Sequence, residues 1–329
     1  MIMHQKDILL SVCVPTYNQS DAVQKLFENL IPQYVPQIEI LVRDDSENND
    51  TEVIVSELKK LAPIQYFRGK KEGVDSAIIF LTEKARGLFV WWIGDDVIAP
   101  GAIQKILSLI DQYQDLSFIW VNSHCIKNEE ALAVNNRRCY FFSNRDQIFD
   151  LDIGLLGFIT ATVFKRDLAI PGMAQARKHV GSAFVCMYIV LYVIAQEGRY
   201  YFLGTPCFSS NPKPSGEVRW YDQFQVFGIN LFHIVKEFEG SFNKRQIKKA
   251  LSKNLAMVVK AIIVERALGL KTGFASPSPK LIPLAKLYWS YWVFWAALPL
   301  LILPTFILKG LYGLYRKLFS RATLYLEPP

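Results

Sequence analysis

Short apolar runs alternate with helical patterns over the first 125 residues of the chain. The apolar runs at 8–14, 37–42, 64–67, 89–93 and 118–121 each end at glycine, proline or polar residues, which is typical of buried strands. Apolar residues at helical spacing between them predict helices over 22–31, 51–61 and 73–86. This alternation predicts an α/β fold, with a mostly parallel sheet and helices on both faces.

Polar residues follow three of the predicted strands at the points where the strands end. They are residues 16–18, Asp44 with Asp45, and Asp95 with Asp96. Because ligands of open α/β sheets bind beyond the carboxyl ends of parallel strands, we expect these tips to share one edge and one ligand.

The pair Asp95 and Asp96 follows a five-residue apolar run and Gly94. Successive side chains of an extended segment point to opposite sides, so one aspartate is expected to hold a metal and the other to bind something beside it. Mg²⁺ and Mn²⁺ take one or two carboxylates together with substrate phosphates, as in a nucleotide-diphosphate site. The alternative is a solvated turn that caps the helix after Pro100.

The composition predicts contact with a membrane and with an anionic partner. Hydrophobic residues make up 51% of the 329 residues, and the net charge is +7. The charge suits a nucleotide, a nucleic acid or a phospholipid. Five scattered cysteines without a CxxC pair indicate reduced thiols and argue against zinc. The first apolar run is too short for a signal peptide, so we expect the chain to start in the cytoplasm.

Four ordered motifs carry a family resemblance. They are SVCVPTYN at 11–18, LVRDDS at 41–46, EGVD at 72–75 and IGDD at 93–96. Together they resemble the family 2 glycosyltransferases, which have the GT-A nucleotide-sugar-binding fold. The resemblance implies inverting transfer of a sugar from a nucleotide diphosphate, with Mn²⁺ or Mg²⁺. The chain is similar in particular to bacterial enzymes that build O-antigen or exopolysaccharide on a lipid carrier, including the abequosyltransferase group.

The resemblance also implies roles for individual residues. Asp44 would accept a hydrogen bond from the base, and Asp95 would contact ribose or sugar and act in catalysis. Asp96 would hold the metal, although Val97 stands where many relatives have a third acidic residue. The implied donor-binding residues are Pro15, Thr16, Tyr17, Asn18, Asp44, Asp45, Gly73, Asp75 and Asp95. For Asp75 a helix cap, and for Tyr17 a packing role, are the alternatives.

The general base that inverting transfer requires is not evident from the sequence. No acidic residue lies between Asp167 and Glu197, and His179 is the nearest titratable candidate. His179 also suits a structural role. The segment 154–164 resembles a strand that closes the acceptor side of the sheet, and helix is predicted over 183–196. The loop 209–216, with Lys213, suits either a cover over the substrates or a linker.

The last third of the chain has helical and membrane-type patterns. Helical periodicity over 218–268 includes a basic stripe, from Lys244 to Lys253, opposite an apolar face. The 22 residues 287–308 carry no charge and would extend roughly 33 Å as a helix, enough to cross a bilayer. Pro299, Pro304 and basic flanks on both sides favour a re-entrant or interfacial helix instead.

These patterns predict a catalytic domain at 1–210, a helical region at 211–275 and a membrane-associating segment at 276–329. The expected function is transfer of a sugar from a nucleotide-sugar donor to a lipid-linked (polyprenyl-diphosphate) saccharide acceptor. The expected location is the cytoplasmic face of the bacterial inner membrane. The alternative is a catalytically silent scaffold of the same fold. Nucleic-acid binding is not expected, because the basic segments lack interleaved aromatic residues.

Overall fold

The computed structural model describes residues 8–124, 138–209, 222–269 and 281–319. The chain forms two compact units. The first comprises Met1–Leu151 and Leu155–Pro212, and the second comprises Asp152–Gly154 and Lys213–Pro329. The three-part division at 210 and 275 stays a prediction.

The first unit is built on one mixed sheet. Its order is β3-β2-β1-β4-β8-β6-β9-β5, and β7 pairs with β9. The strands in the described residues are β1 (Leu10–Thr16), β2 (Ile38–Asp44), β3 (Ile64–Arg68), β4 (Phe89–Trp92), β5 (Val97–Ile98), β6 (Leu116–His124), β7 (Tyr140–Phe141), β8 (Thr162–Lys165) and β9 (Arg199–Ser209).

The sheet is parallel only in part. Strands β1 to β4 are parallel, and β6 is parallel to β9. Strand β8 runs antiparallel to both β4 and β6, and β5 and β7 run antiparallel to β9. The expectation of a mostly parallel sheet is therefore corrected to a mixed one. A short buried strand has the same apolar pattern in either direction, so the sequence does not reveal its polarity.

The helices of the first unit are α1 (Ser20–Leu30), α2 (Asp50–Leu58), α3 (Val74–Lys84), α4 (Ala102–Gln112), α5 (Arg166–Ala169), α6 (Met173–Ala176) and α7 (Val185–Ile194). The helices predicted over 22–31, 51–61, 73–86 and 183–196 are confirmed to within a few residues, whereas the short helices α5 and α6 were not predicted. The strand expected over 154–164 is wrong for most of its length, because 3₁₀ turns at Ile153–Gly157 and Ile159–Ala161 precede β8.

The core of the first unit is dominated by large aromatic side chains on adjacent strands. Trp91 and Trp92 on β4, Trp120 on β6 and Phe164 on β8 are all buried. Each side chain of this size stabilises the fold by roughly 1.5–3 kcal/mol relative to an exposed one. Strand β1, at the centre of the parallel part, is buried along its whole length. The core therefore fixes the strand ends that carry the candidate site.

The second unit is helical. A π-helical segment, Phe224–Asn230, continues into α8 (Leu231–Glu237), and α9 (Lys244–Leu268), α10 (Leu281–Tyr288), α11 (Trp292–Ile302) and α12 (Thr305–Phe319) follow. Helix α9 buries Ile247, Leu251, Leu255 and Val258, and its lysines Lys244, Lys248, Lys249 and Lys253 are exposed. The predicted two-faced helix is therefore confirmed.

The charge-free run 287–308 is divided among three helices. Within the described residues, no single helix is both long and apolar enough to cross a membrane. The segments Trp292–Ile302 and Thr305–Leu314 satisfy that requirement only when taken together, and they meet at a bend of 106°.

Candidate donor-binding site

The carboxyl ends of β1, β2 and β4 lie at one edge of the sheet. Thr16 at the end of β1 is in register with Asp44 at the end of β2, and Cys13 is in register with Trp92 at the end of β4. The polar tips that follow these strands therefore share an edge. Pro15 and Thr16 are buried within β1, so the tip exposed beyond them begins at Tyr17.

Hydrogen bonds join the tips of β1 and β2. The Asn18 N–H donates to Ser46 Oγ (2.8 Å), and Asn18 Oδ1 accepts from the Glu47 N–H (3.1 Å). Asn18 has a φ of 50°, a left-handed conformation that asparagine tolerates better than most residues. The turn alone is therefore a sufficient reason for an asparagine at position 18, whether or not Asn18 also contacts a ligand.

Asp44 is a fully buried acceptor with three protein donors. Its Oδ2 accepts from Tyr66 Oη (2.7 Å) and Arg68 Nη1 (3.2 Å), and its Oδ1 accepts from the Ser46 N–H (2.9 Å). Burial raises the pKa of Tyr66 to about 12, and the Asp44 carboxylate adds to that rise. The tyrosine therefore stays a neutral donor to a fixed carboxylate.

Asp45 forms a buried ion pair with Arg43. Arg43 Nε lies 2.8 Å from Asp45 Oδ1, and its Nη2 lies 2.7 Å from Glu72 Oε2. The guanidinium carbon also lies 4.8 Å from the centre of the Phe80 ring. Asp45 Oδ2 and Thr16 Oγ1 are buried without a hydrogen-bond partner among the described residues. Such atoms are costly unless something pairs with them, so they mark a place for a ligand or water.

Tyr17 lies in a small charged cluster at the exposed side of the same edge. Its hydroxyl donates to Glu47 Oε1 (2.8 Å), and Lys71 Nζ lies 4.8 Å from the centre of its ring. Lys71 also pairs with Glu47 at 3.2 Å. The hydrogen bonds to Tyr17 and Glu47 raise the pKa of Lys71. A fixed positive charge therefore stands beside Tyr17, which suits an anionic ligand.

Asp95 and Asp96 differ in exposure. Asp96 is 2% exposed, and Thr160 donates a hydrogen bond to its Oδ2, whereas Asp95 is partly exposed. Thr160 is itself held by the Gly94 N–H (3.3 Å) and by Trp91 Nε1, which donates to its carbonyl oxygen (2.8 Å). The two side chains therefore differ as predicted. Asp95 is thus the more exposed of the two residues.

The residues at this edge suit a cation that arrives with a diphosphate. In the part of the chain that is described, no group of three or more His, Cys, Asp and Glu side chains is arranged to hold a metal. A hard cation needs only one or two carboxylates when substrate phosphates and water complete its shell. The accessible Asp95 meets that smaller requirement.

Gly73 and Asp75 begin helix α3. Gly73 has a φ of +85°, which favours glycine. Asp75 accepts hydrogen bonds from the N–H groups of Gly181 and Ala183 at 2.9 Å and of Val185 at 3.2 Å. Burial raises the pKa of Asp75, and these backbone donors oppose the rise. Asp75 therefore anchors the start of α7, whereas the predicted alternative was a cap on its own helix, α3.

His179 lies just before this anchored segment. Its half-buried ring stacks on Tyr188 of α7, with the ring centres 4.8 Å apart. The next turn contains two left-handed residues, Gly181 with a φ of 91° and Ala183 with a φ of 61°. His179 is thus held on a tightly constrained turn. The other loop candidate, Lys213, lies outside the described residues.

Sequence reasoning missed the partners of the predicted residues. Arg68, at the end of β3, reaches Asp44 because β3 lies next to β2 in the sheet. Lys71 and Thr160 are also absent from the predicted site, although they contact Tyr17 and Asp96. The alternation of strands and helices could have identified Arg68, because Arg68 ends a strand that lies parallel to β2. Thr160 gave none, because it lies in a 3₁₀ turn more than 60 residues from Asp96.

Comparison with known proteins supplies the family. Residues 11–168 match the family described as "Glycosyl transferase family 2". The chain is 28% identical over 169 residues to the "GalNAc(5)-diNAcBac-PP-undecaprenol beta-1,3-glucosyltransferase" of Campylobacter jejuni, covering 48% of this chain and 52% of the relative. It is 25% identical over 129 residues to the "Chondroitin synthase" of Escherichia coli, covering 39% and 19%. The chain therefore spans about half or less of these relatives' lengths.

Solved structures support the fold. The S. aureus TarS 1-349 structure in complex with UDP has a TM-score of 0.63 at 14% identity and covers 93% of this chain and 92% of that one. The complex of the same protein with UDP-GlcNAc has a TM-score of 0.62 at 15% identity and covers 80% and 76%. At this identity the likeness establishes the mixed α/β fold alone.

Proposed function

We propose that the chain transfers a sugar from a nucleotide-diphosphate donor to a hydroxyl of a lipid-linked saccharide, and that residues 11–168, which match family 2 glycosyltransferases, form its catalytic domain. The observation that carries this proposal is the shared edge of β1, β2 and β4. Asp44 ends β2 and Asp45 follows it, and Asp95 follows β4 on the other side of β1. The names of the Campylobacter relative and of the TarS complexes support the lipid-linked acceptor and the nucleotide-sugar donor.

We propose distinct tasks for the residues at this edge. Asp44, held by Tyr66 and Arg68, would accept a hydrogen bond from the nucleotide base. The buried oxygens of Thr16 and Asp45 would pair with donor atoms of the nucleoside or with water. Pro15, Tyr17, Asn18 and Gly73 would line the same ligand, with Lys71 contributing positive charge.

We assign ion contact to Asp95 and turn support to Asp96. A bound Mn²⁺ or Mg²⁺ would offset negative charge on the departing diphosphate. We choose Asp95 for the ion because it is the more exposed residue, whereas Asp96 is buried and accepts a hydrogen bond from Thr160. This reverses the order that the family resemblance implied.

His179 remains the proposed base. Inverting transfer requires a group that takes the proton of the acceptor hydroxyl as the new bond to the sugar forms. The half-buried imidazole of His179, fixed against Tyr188, is held on the turn that Asp75 anchors. His179→Gln should lower the rate of transfer by roughly a hundredfold and leave donor affinity unchanged.

The experiment that tests the function is a donor screen on the full chain. Nucleotide-sugars are first ranked by the shift they cause in the unfolding midpoint with Mn²⁺ present. Release of nucleoside diphosphate is then measured with and without a polyprenyl-diphosphate-linked saccharide. A donor that both stabilises the chain and is consumed supports the proposal. Stabilisation without release would favour the catalytically silent scaffold.

We also propose that the chain acts at the cytoplasmic face of the bacterial inner membrane and is attached there through residues 276–329. Support comes from the surface of the second unit. Among the described residues, every exposed large apolar side chain other than Val53, Leu61 and Val180 lies between Ile282 and Leu314. Apolar exposure on this scale is typical of a surface that another phase or partner covers.

A further inference from the structure

The bend between α11 and α12 is held by a side chain of the same unit. Arg266, on α9, donates from Nη1 to the carbonyl oxygen of Leu301 (2.7 Å) and from Nη2 to that of Leu303 (2.6 Å). These are carbonyls at the end of α11, which a helix terminus leaves without partners. Pro304 follows at once and cannot continue the hydrogen-bond ladder. The 106° bend is therefore stabilised by hydrogen bonds from the Arg266 side chain.

Both arms of the bent pair bury one face within the second unit. Phe294, Ala297 and Leu301 of α11 are buried, and so is Leu308 of α12. Both helices pack against α9. Because both arms pack on α9, straightening the pair would cost this packing and the Arg266 hydrogen bonds.

The opposite faces of these helices form an exposed apolar surface. We define the C-terminal apolar surface by Trp289, Trp292, Ile302, Phe306, Leu311 and Leu314, which are between 47% and 74% exposed. Tryptophan is enriched where proteins meet the boundary of a bilayer. Ile282 and Lys286 lie four residues apart on α10 and so share a face, and Trp289 follows the end of that helix.

Charge within residues 281–319 has one sign. This segment contains no acidic residue, and Lys286 of α10 and Lys309 of α12 are exposed. Lys248 of the α9 stripe lies 5.8 Å from the ring centre of Tyr291, at the start of α11. Lys286 and His233 also line a cleft of about 280 Å³ together with Ile282 and Leu287. Basic groups beside apolar ones match the chemistry of an anionic lipid.

From these observations we infer that the second unit docks on a bilayer containing anionic lipid from one side, as a fixed bent pair of helices that does not cross it. The inference rests on the proposed membrane attachment and specifies its mode. Apolar side chains enter the leaflet, and the lysines contact the lipid phosphates. The bend clamped by Arg266 keeps both arms at the same face.

The first test is binding of the full chain to phosphatidylcholine vesicles with and without phosphatidylglycerol, measured by flotation. Trp292→Glu and Phe306→Glu should each weaken binding by about tenfold or more. Both side chains are 74% exposed, so folding should survive, as the unfolding midpoint will show. Val53→Glu, at an exposed apolar site of the first unit, is the matched control and should bind as the parent does.

The second test is topology. Lys309→Cys, in a background with both Cys125→Ala and Cys139→Ala, places a thiol beyond the bend, and the same background without Lys309→Cys is the labelling control. In inside-out membrane vesicles from expressing cells, an impermeant maleimide should label it equally before and after detergent. Labelling that requires detergent would show a crossing and overturn the inference.

Two further outcomes would also overturn it. One is absence of vesicle binding by the parent chain. The other is a dimer in solution that the two glutamate variants dissociate without any change in vesicle binding, which would assign the surface to a second copy. Donor consumption in lipid-free buffer is measured in parallel. A chain that binds vesicles but does not consume donor would refute the proposed function alone. A chain that consumes donor but does not bind vesicles would refute the docking mode alone.

Discussion

At the scale of single residues, the role of each buried aspartate is set by the hydrogen-bond donors that face it. Asp44, Asp75 and Asp96 all lie at predicted tips or helix starts, and all three are buried. What separates them is the donor each faces: a tyrosine and an arginine, three backbone amides, or a threonine hydroxyl. Those donors are 22 to 110 residues away in sequence, and no local pattern predicts them.

The two adjacent aspartates should separate in experiment. Asp95→Asn should lower metal-dependent release of nucleoside diphosphate by a hundredfold or more, because the ion would lose its protein ligand. Its free energy of unfolding should stay near that of the parent. Asp96→Asn should act mainly through stability, since Thr160 would lose a charged acceptor, at a cost of about 1.5–3 kcal/mol.

The measurements are urea unfolding and binding of Mn²⁺ in the presence of the nucleoside diphosphate, followed by electron paramagnetic resonance. Thr160→Val, with Thr160→Ser as its conservative control, should reproduce the stability loss of Asp96→Asn. Loss of Mn²⁺ binding in Asp96→Asn but not in Asp95→Asn would restore the assignment implied by the family resemblance.

Asp75 offers a second test at this scale. Asp75→Ala should reduce the free energy of unfolding by several kcal/mol, because three backbone N–H groups lose their acceptor at about 1–3 kcal/mol for each buried group. Donor affinity should change little. Asp21→Ala removes an exposed aspartate from the first turn of α1 and serves as the control. Unchanged stability with weakened donor binding would return Asp75 to the donor site.

At the scale of elements, the periodicity of apolar residues predicted which segments form helices and strands, but it did not predict the direction in which the strands run. The helices observed at Ser20–Leu30, Asp50–Leu58 and Val74–Lys84 lie within a few residues of those expected. The polarity of β8 and the 3₁₀ turns before it were not predicted. A buried apolar strand can pair with a neighbour in either direction. The direction depends on the segment that connects the two strands, and that segment has no periodic pattern in the sequence.

Glu39 of β2 links several elements away from the donor edge. It is 4% exposed, and it accepts from Ser11 Oγ (2.7 Å), Gln65 Nε2 (2.9 Å) and Arg86 Nε (3.0 Å). Desolvation raises the pKa of Glu39, but the hydrogen bonds from Ser11 and Arg86 outweigh it and hold the pKa below its usual value. A depressed folded-state pKa stabilises the protein above the unfolded-state value of about 4.3, and the contribution is lost as pH falls through the folded-state value.

Glu39→Gln should therefore lower the free energy of unfolding at pH 7 by about 1–3 kcal/mol and flatten its decline below about pH 4.3. Urea unfolding at a series of pH values measures both effects. Glu57→Gln, on the exposed end of α2, gives the reference slope. A variant whose stability falls with acid as steeply as that of the parent would show that Glu39 is not the responsible group.

At the scale of the whole molecule, the sequence placed the change from α/β to helical character near residue 210, and the structure forms two units. It did not predict how the apolar run 287–308 would divide. By composition and length the run resembles one continuous segment. The break after α11 is held by hydrogen bonds from Arg266, which lies outside the run. The end of α11 is therefore set by a local signal, Pro304, together with the tertiary contact of Arg266.

The same packing determines how membrane attachment should be tested. Deleting residues 281–329 would remove helices that pack on α9 and would uncover its apolar face. Trp292→Glu combined with Phe306→Glu changes only exposed side chains. If the second unit holds the enzyme on the surface that carries its acceptor, this variant should consume donor in buffer at the parent's rate. Transfer to a vesicle-borne, lipid-linked saccharide should fall by about tenfold or more, because the anchor raises the effective concentration of acceptor. Transfer to a short-chain soluble acceptor should stay unchanged, and an equal fall with both acceptors would place the defect in the catalytic unit instead of the anchor.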